Sequence, residues 1–145
     1  MTSNAPATAI AGPSRRIGRS ITAVFTGFLA VVVLSLGTDE VLHLLKVYPP
    51  WGEPMYQPGL NLLALAYRGV FTLIGGYLTA RLAPYSPMRH VFVGSTIGLG
   101  LGIAGTIAAA GRDLGPMWYP LAVAISGPIC NWLGGLLYVR RTLQR

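Results

Sequence analysis

Two side chains near the end of the first apolar stretch have the types and spacing needed for acid–base chemistry. Asp39 and His43 are four residues apart, so they share one face if a helix continues past Gly37. A carboxylate beside an imidazole can orient the ring for proton transfer. The alternative is that His43 is an interfacial residue next to a structural ion pair, and the sequence leaves both interpretations open.

Arg68 is the one charged residue that lies inside an apolar stretch. A guanidinium in hydrocarbon costs at least about 2.5–3.5 kcal/mol on insertion scales, unless it pairs or reaches the interface. A helical rise of about 1.5 Å per residue, counted from Arg81, puts Arg68 roughly 20 Å from one membrane boundary. That depth is within reach of the acids that follow the first stretch. We therefore predict an ion pair of Arg68 with Asp39 or Glu40, with Tyr67 nearby.

Asn131 is a further polar residue, near the middle of the last apolar stretch and one turn after Pro128. Its amide needs a partner inside a bundle, because an unbonded amide in an apolar medium is costly. It either lines a polar cavity together with Arg68 or locks two helices to each other. The predicted buried polar cluster consists of Asp39, Glu40, His43, Tyr67, Arg68 and Asn131.

The sequence has no complete residue pattern for a metal site or for covalent catalysis. Glu40 and His43 match half of a di-iron signature, which requires a second copy and further glutamates. His90, the only other histidine, falls at the opposite end of its stretch, and Cys130 is the only cysteine, which excludes an intramolecular disulfide. No nucleophile–base pair is visible. We therefore predict no metal, no cofactor and no enzymatic activity.

The positioning elements are four long apolar stretches, at residues 17–45, 60–82, 90–110 and 117–139. Apolar residues make up 52% of the chain and charged residues 10%, against about 25% charged in soluble domains. About 20 apolar residues cross a hydrocarbon core, where the backbone must bond to itself as a helix. The sequence predicts an all-α, antiparallel up-down membrane four-helix bundle, a single domain over residues 17–141. The short connection around residues 83–89 predicts that the second and third helices are neighbours.

The charges are divided between the two sets of stretch ends. The acids Asp39, Glu40, Glu53 and Asp113 lie at one set, while eight of the eleven basic residues lie at the other: Arg15, Arg16, Arg19, Arg81, Arg89, Arg140, Arg141 and Arg145. Short cytoplasmic segments carry an excess of Lys and Arg, so both termini are predicted to be cytoplasmic.

The predicted tails are residues 1–16, disordered and rich in Ala, Thr, Ser and Pro, and residues 142–145. The net charge is +7, but the basic residues lie at helix ends and form no continuous face. No nucleic-acid partner is therefore predicted.

Small and aromatic residues suggest how the helices pack and where the membrane interface lies. Glycines spaced by four residues on the third helix give one smooth face for close approach, either to the fourth helix or to another copy of the chain. The predicted packing residues are Gly94, Gly98, Gly102, Gly127 and Gly135. Aromatic rings at the acidic ends suit an interfacial belt, predicted as Tyr48, Trp51, Tyr56, Trp118 and Tyr119. The predicted partners are the lipid bilayer and either a second copy or another membrane protein.

Several local strings resemble small bacterial four-helix membrane proteins of uncharacterised function. They are GTDEVLH at residues 37–43, YPPWG at 48–52, AYR at 66–68, ARLAP at 80–84 and GPMWYP at 115–120. The resemblance covers most of the chain beyond the N-terminal tail. It implies the fold and a bacterial inner membrane, and it implies no chemistry.

The functional hypothesis that follows is an integral inner-membrane protein without catalytic machinery. It would be an accessory or packing component, or a binder of a small ligand, with the polar cluster in the outer leaflet. The alternative is a small proton-linked transporter that uses Asp39, Glu40, His43 and Arg68.

Overall fold

The computed structural model describes residues 13–144, and the side chains from residue 16 onward. It contains four helices: α1 (Pro13–Leu44), α2 (Pro58–Leu82), α3 (Pro87–Ala109) and α4 (Trp118–Leu143). The described range has no strand, so the prediction of an all-helical fold is confirmed. All four helices are long and apolar enough to cross a membrane.

The helix bounds differ from the predicted ones at several ends. α2 and α3 begin two or three residues earlier than expected, each with a proline in its first turn. Proline is tolerated there because the first-turn N–H groups have no partner within the helix. Residues 13–16 and 142–143, predicted as parts of the tails, are helical. The rest of the predicted N-terminal tail, and Arg145, lie outside the described residues.

The helices pack in the spatial order α1, α2, α4, α3, with α1 and α3 only loosely joined. α2 makes its main contacts with α1 and α4 and fewer with α3, so the second and third helices are neighbours, as predicted, but they are not the most closely packed pair. A short loop fixes opposite directions but does not decide which faces pack. We call the end that carries the acids and the loops at residues 45–57 and 110–117 the acidic end, and the other the basic end.

Backbone-to-backbone contact between α2 and α4 forms the tightest part of the bundle. A Cβ added at Gly76 would overlap the carbonyl oxygen of Asn131, and one at Gly134 would overlap that of Leu73. α1 and α2 make a similar contact, because a Cβ on Gly27 would lie 2.6 Å from the carbonyl oxygen of Gly75. Close approach of this kind needs residues without side chains. The packing residues predicted from the sequence do not include these glycines.

The predicted glycine face of α3 is only partly used for packing on α4. A Cβ on Gly102 would lie 3.0 Å from Cα of Ala124, and one on Gly135 would lie 2.7 Å from the side chain of Val91. Gly94 is looser, with its nearest neighbours 3.7 Å from such a Cβ. Gly98 and Gly127 would meet nothing within 4 Å, so the packing role predicted for these two is corrected.

The two loops of the acidic end are bonded to each other. The backbone N–H of Met55 donates to the carbonyl of Leu114 over 2.9 Å. The Tyr56 hydroxyl donates to Asp113, and this bond raises the pKa of Tyr56. The buried Asn61 at the start of α2 donates to the carbonyl of Met55 over 3.0 Å. The first loop is therefore ordered by hydrogen bonds as well as by its prolines.

The aromatic belt predicted for the acidic end is largely exposed. Trp51, Tyr56 and Trp118 keep 62%, 53% and 40% of their surface exposed, and Tyr119 is half-buried. Tyr48 is only 5% exposed, which corrects its assignment to the belt. The reason is a reversal of the chain after α1, where Lys46 adopts a left-handed φ of 57° and the N–H of Tyr48 donates to the carbonyl of Leu42 over 3.1 Å.

Candidate functional site

An ion pair between α1 and α2 forms the centre of the candidate site. Nη2 of Arg68 lies 2.5 Å from Oδ2 of Asp39, and the hydroxyl of Tyr67 donates to the other carboxylate oxygen. The Asp39 side chain is 7% exposed and that of Arg68 31%. The sequence-predicted pair is thus present, with Asp39 and not Glu40 as the acid. We call Asp39, Tyr67, Arg68 and Tyr48 the Arg–Asp centre.

Tyr48 completes the Arg–Asp centre from the loop side. Its hydroxyl oxygen lies 3.3 Å from that of Tyr67 and 3.4 Å from the carbonyl oxygen of Leu60. A phenol is protonated and able to donate at neutral pH, and burial raises the pKa of Tyr48 further above its ordinary value. Sequence reasoning assigned this ring to the interface, since composition does not reveal the turn that brings it back over the end of α1.

Glu40 and His43 do not join the Arg–Asp centre, which corrects their place in the predicted cluster. Glu40 is exposed and accepts a hydrogen bond from Nε1 of Trp51 over 3.2 Å. Nδ1 of His43 lies 2.6 Å from the carbonyl oxygen of Pro49, and its ring stacks on Trp51 with the centroids 4.0 Å apart. The first loop therefore holds both side chains, although four-residue spacing put His43 on the Asp39 face. An Asp39–His43 proton relay has no geometric support.

A cavity of about 170 Å³ lies between all four helices, and Arg68 forms part of its wall. The rest of the wall is made mainly of glycines and small or hydroxyl-bearing side chains, including Gly69, Gly94, Gly98, Gly102, Gly127, Thr72, Ser95, Ser126 and Asn131. The two glycines that do not pack, Gly98 and Gly127, thus face empty space in the interior. The small residues of α3 therefore line this cavity as well as packing against α4.

Asn131 both lines the cavity and joins two helices. Its Nδ2 donates to the carbonyl of Val91 over 3.1 Å and to Oγ of Ser95 over 2.8 Å, which ties α4 to α3. No hydrogen bond connects Asn131 with Asp39 or Arg68 among the described residues. Asn131 therefore has both roles considered from the sequence, since it lines the cavity and joins two helices. It does not belong to one hydrogen-bonded cluster with Asp39 and Arg68.

The described part of the chain contains no group of three or more His, Cys, Asp or Glu side chains that could hold a metal ion. The titratable groups joined by the ion pair and its hydrogen bonds are one carboxylate, one guanidinium and two phenols, and the phenol of Tyr119 is close enough to interact with the charge of Arg68. This set can bind a polar group, and it can pass a proton along the hydroxyls of Tyr48 and Tyr67 to Asp39.

No protein-family model matches the chain, and comparisons with curated proteins and with solved structures also find no match. The resemblance to small bacterial membrane proteins stays a prediction.

Proposed function

We propose that the chain is a four-pass protein of a bacterial inner membrane, with the basic end in the cytoplasm. Four helices of sufficient length and apolarity support the membrane placement. The orientation is supported by the basic residues at the basic end, among them Arg81, Arg89 and Arg140, because cytoplasmic segments favour Lys and Arg. The bacterial setting rests on the resemblance stated above.

Cysteine labelling tests this orientation. In a Cys130→Ala background, Glu53→Cys places a thiol on the acidic-end loop and Gln144→Cys places one at the basic end. A membrane-impermeant maleimide should label Glu53→Cys in intact cells, and it should label Gln144→Cys only after the membrane is permeabilised. The reverse pattern would show that the assigned orientation is inverted.

We further propose that the protein binds a small, mainly apolar ligand in the interior cavity. The observation that carries this proposal is that Arg68, already paired with Asp39, also forms part of the wall of a space of about 170 Å³. A polar centre beside a mostly apolar wall is the usual composition of a ligand site. A purely structural ion pair would need no empty volume next to it, since interiors are otherwise close-packed.

The hydrogen bonds around the cavity indicate the polarity of the ligand. Oγ1 of Thr72 already donates to the carbonyl of Arg68 over 2.7 Å, and Oγ of Ser126 donates to that of Val123 over 3.4 Å. A hydroxyl that already donates its hydrogen can still accept a hydrogen bond through the lone pairs of its oxygen. Arg68, which also lines the cavity, has a buried Nε–H without a hydrogen-bond partner among the described residues. The wall therefore favours a compact apolar molecule with one hydroxyl, which can donate to an oxygen of Thr72 or Ser126 and accept from a donor such as Arg68.

Filling the cavity should abolish binding of a probe with this chemistry. Gly98→Leu is the test variant, because a Cβ at Gly98 meets no atom within 4 Å and the added side chain would occupy the cavity. Phenol should raise the thermal unfolding temperature of the natural protein saturably, by about 2–4 °C if it contributes about 1 kcal/mol. The variant should show no saturable rise.

Gly105→Leu is the matched control, since Gly105 lies on the same helix, is exposed, has no atom within 4 Å of an added Cβ and does not line the cavity. It should respond to phenol as the natural protein does. Equal phenol responses in all three proteins would show that the probe partitions into detergent or lipid-facing surface. An absence of any response would leave the accessory or packing role as the better hypothesis.

The alternative of proton-linked transport is favoured by one feature, the chain of hydroxyls from Tyr48 through Tyr67 to Asp39. Against it, His43 is held by the loop, and Tyr48 closes the centre from the acidic end. Transport would require a flux in proteoliposomes that follows an imposed pH gradient and disappears in Asp39→Asn. A flux that survives this substitution would exclude the Arg–Asp centre as its carrier.

A further inference from the structure

The loosely joined side of the bundle, between α1 and α3, contains a groove of about 540 Å³ that is separate from the Arg–Asp centre. Its walls are apolar side chains from both helices, including Ile21, Phe25, Phe28, Val93 and Ile97. A volume of this size is typical of sites for small molecules and cofactors. The groove therefore offers room for an elongated apolar group that lies along the helices.

The polar residues of the groove are concentrated at the basic end. Arg89 lies in the groove wall together with Tyr85 and Ser20, and Arg89 is exposed. Arg16 precedes Ser20 by four residues and so shares its face of α1. Arg68–Asp39 is the only salt bridge within the described residues, and the acids lie at the opposite end. The mouth of the groove is therefore positively charged without a protein counter-ion.

The depth of the groove matches an acyl chain entering from the headgroup region. From Arg89 to Ile97 the rise along α3 is roughly 12 Å, at about 1.5 Å per residue. At its inner end the groove meets the interior cavity, with which it shares Val24 and Phe28. A charged mouth above an apolar slot of this length is complementary to a phosphate with a hydrocarbon tail. Basic pockets between membrane helices on the cytoplasmic side bind anionic headgroups in the same manner.

We propose that this groove binds an anionic phospholipid, with its phosphate at Arg89 and one acyl chain between α1 and α3. The site rests on the proposal that the helices span a membrane, with the basic end in the headgroup region. It does not depend on a ligand in the cavity. The lipid would fill the side of the bundle that the chain itself leaves open, and its phosphate would neutralise charge at the mouth.

Lipid binding by the purified full-length protein tests the proposal, with phosphatidylglycerol and phosphatidylcholine of identical acyl chains as probes. Native mass spectrometry should show one phosphatidylglycerol retained in preference to phosphatidylcholine. Arg89→Gln should weaken phosphatidylglycerol binding about fivefold, the value expected for one basic residue near the headgroup. Arg140→Gln is the matched control, since Arg140 is also exposed at the basic end but does not line the groove, and binding should be unchanged.

A second pair of variants tests the tail slot without changing charge. Val93→Trp should reduce binding of both lipids by filling the groove, whereas Phe92→Trp, on an exposed neighbouring position outside it, should not. Equal binding of the two lipids, or equal losses in Arg89→Gln and Arg140→Gln, would overturn the proposal. So would displacement of the lipid by soluble glycerol phosphate, because the tail would then contribute nothing. Correct membrane insertion together with any of these results would reject this site alone.

Discussion

Asp39→Ala should lower the free energy of unfolding by about 3 kcal/mol, near the lower end of the range for breaking a buried ion pair. The substitution leaves the guanidinium of Arg68 inside the bundle without a counter-charge, and it removes the acceptor of the Tyr67 hydroxyl. The lower end applies because the Arg68 side chain is 31% exposed and can gain partial solvation. Reversible unfolding in mixed micelles of increasing denaturing-detergent fraction measures the change.

Glu40→Ala is the matched control for this prediction. Glu40 is the next residue on the same helix and carries the same charge, but it is exposed and bonds only to Trp51 among the described residues. Its removal should change stability by less than about 0.5 kcal/mol, as for most surface positions. The double variant Asp39→Ala/Arg68→Ala should recover part of the loss, since no unpaired charge remains. Equal losses for Asp39→Ala and Glu40→Ala would show that the buried pair has no special energetic role.

Gly134→Ala should destabilise the bundle by about 3 kcal/mol, the upper part of the usual range for overpacking. The added Cβ would overlap the carbonyl oxygen of Leu73 on α2. A backbone atom cannot move aside as a side chain can, so α2 and α4 must separate along their contact. The same unfolding measurement applies, and tryptophan fluorescence can follow it through Trp132 on α4.

Gly100→Ala provides the comparison for the loss at Gly134. Gly100 is also helical, but unlike the buried Gly134 it is exposed, and a Cβ there would meet nothing within 4 Å. Alanine has the higher helix propensity, so this variant should be at least as stable as the natural protein. If Gly134→Ala proved as stable as Gly100→Ala, the close approach of α2 and α4 would be wrong. A loss in both variants would indicate a general intolerance of substitution and not a specific contact.

The number, length and type of the helices follow from the sequence. Long apolar stretches whose charges, apart from Arg68, lie only near their ends can be recognised directly in the sequence, because a helix satisfies its own backbone groups and needs no distant partner. Arg68 could be recognised as needing an acid for a similar reason. A single charge inside an apolar span is energetically costly in any arrangement of the helices unless it is paired. The chain has only four acidic residues that could pair with it.

The tertiary structure alone decided which acid pairs with Arg68 and which residues surround the pair. Asp39 and Glu40 are adjacent in sequence and equal in charge, so only their directions on α1 distinguish them. Helical spacing places His43 on the Asp39 face but cannot show that the loop carbonyl of Pro49 is nearer, so the sequence could not decide between a proton relay and an interfacial histidine. Tyr48 was missed because its burial depends on the chain reversal at Lys46.

Glycine shows the same division between local and distant information. Four-residue spacing on α3 indicated a small-residue face, and the sequence determined its position on the helix. Whether each glycine meets a neighbour or an empty space depends on the crossing of two helices: Gly102 meets Ala124, while Gly98 faces the cavity. Composition and helical period are properties of one segment and are fixed by the sequence itself. Contacts, cavities and the open side between α1 and α3 arise from how the segments pack, and only the folded chain determines them.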